Sequence, residues 1–123
     1  MFKVHSRNIA DVEPFVFKAG TGLATGMAVT VNTSDAFVKA TGTACPTHII
    51  VGEKSKGVWG AIPVLPTTTF ETTSTPAVTT VGVAVQIVAG GDSVNATTGG
   101  AFNVTYTENK SGGIVRGYFK EVK

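Results

Sequence analysis

Leucine occurs twice in the 123 residues, cysteine once, tryptophan once and histidine twice. Each scarcity excludes something. With so little leucine, against 18 valines and 6 isoleucines, an amphipathic helix bundle has no material for its core. A lone cysteine, Cys45, cannot close an internal disulfide, which fits synthesis in a reducing compartment. Charged residues make up only 15%, and the formal net charge of +2 is spread along the chain. That is no phosphate-tracking surface, so nucleic acid is not expected as a partner. Long apolar runs are missing too: the stretch 80–89 alternates with small and polar residues and is far too short for a membrane span. The N-terminus, Met1-Phe2-Lys3-Val4-His5-Ser6-Arg7, lacks the continuous apolar segment of a secretory signal, which predicts retention in the cytosol where the chain is made.

What is abundant points one way. Besides valine and isoleucine there are 19 threonines and 15 glycines. Side chains branched at Cβ suit a pleated surface and crowd a helix, and glycine supplies the turns. The apolar share of 42% is enough for one folded domain. The pattern predicts an all-β fold, a small sandwich or barrel, with strands near 15–18, 27–32, 36–40, 48–52, 58–64, 80–88, 102–108 and 114–121. Residues 1–13 read as an N-terminal arm or short edge strand ending at Glu13-Pro14, and 14–123 as the single β domain. The threonine-rich stretch 66–80, bracketed by Pro66 and Pro76, reads as a connection between two halves, with an edge strand at 67–72 the most it allows.

The halves are suggested by self-comparison. Displacing the sequence by 56 positions pairs Gly26 with Gly82, Ala28 with Ala84, Val29 with Val85, Val38 with Val94, Ala40 with Ala96 and Thr41 with Thr97. The same displacement pairs Lys54-Ser55 with Lys110-Ser111 and Gly57 with Gly113. A twofold duplication of one β unit, 26–58 and 82–114, with approximate twofold symmetry, is the physical reading.

Groups able to do chemistry are few. Cys45 and His48 lie three residues apart, but two ligands fall short of the four of a structural zinc site, and no metal is expected. The carboxylates Asp11, Glu13, Asp35, Glu53, Glu71, Asp92, Glu108 and Glu121 are scattered, so no acid/base pair or activated nucleophile can be named. Residues 20–26 have the glycines of a phosphate loop without its lysine, and run into a strand. No enzyme, cofactor or small-molecule substrate is expected. Trp59, between Gly57-Val58 and Gly60, suits a plug of the core or an interface anchor.

Three stretches carry a resemblance: Lys18-Ala19-Gly20-Thr21-Gly22-Leu23-Ala24-Thr25-Gly26-Met27-Ala28-Val29, then Val38-Lys39-Ala40-Thr41-Gly42, then Pro46-Thr47-His48-Ile49-Ile50-Val51-Gly52-Glu53. Together with Phe70-Glu71-Thr72, Gly82-Val83-Ala84-Val85-Gln86-Ile87 and Val115-Arg116-Gly117-Tyr118-Phe119, they resemble the head decoration proteins of tailed phages over residues 18–119. The resemblance implies a compact β domain without catalytic residues. It would sit on the outside of the phage head, bound as a homotrimer to the major capsid protein and made in the host cytoplasm. The N-terminal stretch has no match there. Phe2, Val4, His5, Arg7 and Ile9 of the arm, with Trp59, are the expected contacts with capsid or neighbouring subunit, because an extended arm can add a strand to an exposed sheet edge. The competing expectations are a phage tail or fibre module and a glycan-binding bacterial surface adhesin domain.

Overall fold

The computed structural model describes residues 1–7 and 16–120. The described chain forms eleven strands in two antiparallel sheets, packed face to face as a sandwich and not closed into a barrel. The strands are β1 (Lys3–Arg7), β2 (Val16–Ala19), β3 (Ala28–Val31), β4 (Phe37–Lys39), β5 (His48–Ser55), β6 (Val58–Pro63), β7 (Thr68–Thr73), β8 (Ala84–Ile87), β9 (Val94–Thr98), β10 (Phe102–Thr107) and β11 (Ile114–Phe119). One sheet runs β1-β7-β11-β10-β8-β9, the other β2-β6-β5-β3-β4.

Apart from β1, the two sheets have one topology: β2, β6, β5, β3, β4 correspond in order to β7, β11, β10, β8, β9. The register agrees pair by pair. His48 opposite Pro63 becomes Phe102 opposite Phe119, and Ala28 opposite Ile49 becomes Ala84 opposite Asn103. Val16 opposite Ala61 becomes Phe70 opposite Gly117. The bulge between Ile50 and Gly52 recurs between Val104 and Tyr106. Offsets of 54 residues for β5 to β10 (48 to 102) and 56 for β6 to β11 (63 to 119) show where ungapped comparison loses the match. Gly26 and Gly82, each two residues before the equivalent strands β3 and β8, share φ +83°, a left-handed turn that glycine enters freely.

The duplication therefore starts earlier than the self-comparison suggests, at β2 and β7. The stretch 66–80 is corrected: instead of only linking the halves, it supplies β7, which sits between β1 and β11. Two of its threonines are core residues. Thr68 and Thr72 are buried, and Thr72 Oγ1 donates to the Asp92 carbonyl at 3.2 Å, so the hydroxyl enters without an unpaired polar atom.

The two copies stack head to tail. In the six-stranded sheet Phe70, Val85, Phe102, Val104, Val115 and Phe119 face the core between the sheets. Their equivalents Val16, Val29, Ile50 and Trp59 face away from it, into a second cluster on the outer side of the five-stranded sheet. Ala28, Ile49 and Ile62 supply that sheet's inward face. An axis between the sheets would turn equivalent faces toward each other, so the expected approximate twofold symmetry gives way to displacement with rotation. The outward cluster is closed by Leu23 and Met27 from the loop after β2, and by Phe37. Trp59 pins that loop by donating its Nε1–H to the Gly20 carbonyl at 3.1 Å. Main-chain bonds lock sheet to sheet: Gly42 and Ile87 exchange amide and carbonyl at 2.9 and 3.1 Å, and the Ala28 amide donates to the Gly91 carbonyl at 2.8 Å.

Residues 1–7 lie on their own domain. β1 is the edge of the six-stranded sheet, antiparallel to β7, with Lys3 opposite Glu71 and Val4 opposite Phe70. Phe2 does not stand free as an arm residue in this chain: it is 2% exposed. Its ring centroid lies 5.7 Å from that of Phe102 and 5.3 Å from that of Phe119, and burial of a phenyl ring among phenyl rings outweighs anything an exposed arm position offers.

Candidate interaction surface

The outer face of the six-stranded sheet is where the second copy departs most from the first. On the inward face of the five-stranded sheet stand Ile49, Gly60 and Ile62, with Phe17 at its edge; the equivalent outward positions here hold Asn103, Arg116, Tyr118 and Glu71. Alternation along β11 explains the sidedness: Val115, Gly117 and Phe119 are buried, Arg116 and Tyr118 half-buried.

Glu71 is the centre of this face. Its carboxylate accepts from Arg116 Nε at 2.8 Å and pairs with Lys3 Nζ at 3.2 Å, while His5 Nδ1 lies 3.9 Å away. The hydrogen bonds from Arg116 and then Lys3 hold its pKa below the usual carboxylate range, against the opposing effect of burial. Arg116 also stacks on Tyr106, its guanidinium carbon 4.7 Å from the ring centroid, and Tyr106 is 42% exposed. The arrangement fixes β1 to β7 by charge as well as by main chain, and leaves an arginine–tyrosine pair facing solvent. The one carboxylate among these groups is already held by two cations.

The expected contact residues separate in this geometry. His5 lies beside Glu71 on the exposed face, and Val4 is half-buried against the core. Arg7 ends β1, opposite Thr68. Ile9 lies outside the described residues. Trp59 is half-buried in the outer cluster of the other sheet, where it pins the 20–27 loop. Lys3, Glu71, Tyr106 and Arg116 were not singled out from sequence. The only signal in the sequence was one acidic residue, Glu71, in a run of threonines, which does not name its partners.

Elsewhere, His48 touches Thr47 Oγ1 through Nδ1 at 2.9 Å and packs on Phe37. Burial, and then the charge of Lys18, push its pKa below the ordinary imidazole value. Among the described residues no three His, Cys, Asp or Glu side chains gather as a metal site, and no helix is long and apolar enough to cross a membrane. Comparison with family models, with curated proteins and with solved structures finds no match in any of the three.

Proposed function

We propose that this chain is a non-enzymatic structural protein that binds the outer surface of an assembled tailed-phage head through the major capsid protein and stabilises the shell. The homotrimer would be the bound unit. The observation that carries the reading is the position of β1. It is the outermost strand of its sheet and pairs on one side only among the described strands, so its other side offers main-chain donors and acceptors to a strand from the shell. The resemblance of residues 18–119 to head decoration proteins supplies the identity of that partner. A body of two stacked sheets with a low charge density suits attachment by repetition, in which modest contacts per copy add up over a lattice.

The test is co-sedimentation with empty, expanded heads. Saturation at a fixed ratio to capsid subunits is the expected result. Absence of binding overturns the reading in favour of a tail or fibre module or a surface adhesin domain.

A further inference from the structure

Among the described strands β1 is the one with no counterpart in the other half. The five-stranded sheet is a complete copy of the repeat with β2 at its edge, so the corresponding edge of β7 is a slot for an added strand. The slot is shaped for its occupant. Phe70, Phe102 and Phe119 bring a socket of rings to Phe2, with centroid separations of 5.7 Å for Phe70 to Phe119 and 5.0 Å for Phe102 to Phe119. The equivalent positions of the first copy, which takes no sixth strand among the described residues, hold Val16, His48 and Pro63. Glu71, at the place of Phe17, meets Lys3 and lies near His5 of the incoming strand. The remaining anchor is the Phe2 amide, which donates to the Gly26 carbonyl at 2.8 Å.

Everything that holds β1 is thus presented by residues 26–119, and eight residues of sequence, 8–15, separate it from β2 on the opposite sheet. A β1 from another copy would meet the same socket, the same carboxylate and the same ladder. Exchange of an identical element conserves every contact and leaves only chain connection and concentration to choose between partners.

We infer that the β7 edge is an exchangeable strand-acceptor site whose partner is the N-terminal strand of a second copy of this chain. The slot admits β1 in cis when copies are dilute and in trans when they are crowded. This is a property of the free chain, independent of capsid binding.

The test uses full-length chains carrying Cys45→Ser, so that only introduced thiols react. Ser6 and Thr69 are register partners on β1 and β7. One chain carrying both Ser6→Cys and Thr69→Cys should close a disulfide within itself under copper–phenanthroline oxidation. A concentrated, warmed mixture of the two single variants should then give a covalent dimer linked between positions 6 and 69, increasing with concentration. A mixture of Ser6→Cys with Val38→Cys, on the exposed part of β4, should give none. If the double variant closes and the mixture of single variants yields no more dimer than that control, exchange is refuted. If the double variant does not close, the β1–β7 pairing is itself wrong and the inference falls with it. Refutation of exchange leaves β1 in place as the sheet edge on which the capsid reading rests, and co-sedimentation tests that reading separately.

Discussion

Truncating Phe2 to alanine removes one of four interlocked rings and leaves a hole against Phe102 of β10 and Phe119 of β11. The expected cost is about 3–5 kcal/mol, read as a lower urea midpoint with an unchanged slope. Phe2→Leu should lose less. Glu71 makes a different prediction, one of pH. Its folded pKa is depressed, so its contribution is fully present above the unfolded carboxylate value of about 4.3 and is lost as pH falls through the lower folded value. Glu71→Gln should therefore flatten the acid limb of stability against pH and cost on the order of 1 kcal/mol near neutrality, since Lys3 is largely exposed. Gly117 isolates sterics. Its φ is ordinary, yet a Cβ there would fall 2.1 Å from the Asn103 carbonyl oxygen. Gly117→Ala should destabilise by about 1–3 kcal/mol in thermal unfolding, although its equivalent in β6 is already an alanine, Ala61.

Among the elements, the six-stranded sheet shows how a stack of repeats is brought to a stop. A terminal layer needs a polar outer face, and Asn103, Arg116 and Tyr118 give it one where the first copy has Ile49, Gly60 and Ile62. Restoring the first copy's residues, Asn103→Ile with Tyr118→Ile, should produce concentration-dependent association in sedimentation velocity, because an apolar sheet face is then uncovered. The all-β class was legible because valine, threonine and glycine act through local sterics. So was the repeat, through Gly26 and Gly82, whose turn geometry is the same in both copies. β7 was not: flanking prolines and polar side chains read as a connection, and only the sandwich shows Thr68 and Thr72 buried. β9 was passed over because Asn95 and two threonines dilute its single buried valine, Val94. Of the candidate surface, His5 was in reach of sequence. The Glu71 cluster was not, because it joins residues 3, 71 and 116 by sheet pairing alone.

For the whole molecule, the connection after β6 divides the chain into pieces that hold β1 to β6 and β7 to β11. Each lacks the sheet that covers its apolar face, while β1 reaches across from the first piece to β7 of the second. Fragments 1–65 and 66–123 should each lack cooperative unfolding by circular dichroism, and an equimolar mixture should recover it. The head-to-tail arrangement also bears on the chain's history. Ile49 and Ile62 on the inner side of the first copy have their equivalents, Asn103 and Tyr118, on the outer side of the second, where unchanged isoleucines would leave a greasy exterior. The polar residues at those positions of the second copy keep that face compatible with water. Likeness between the halves is kept at the glycine turns and along the strand registers, and at Val29 and Val85, where the loop over the outer cluster supplies the first copy with the apolar cover that the second finds between the sheets.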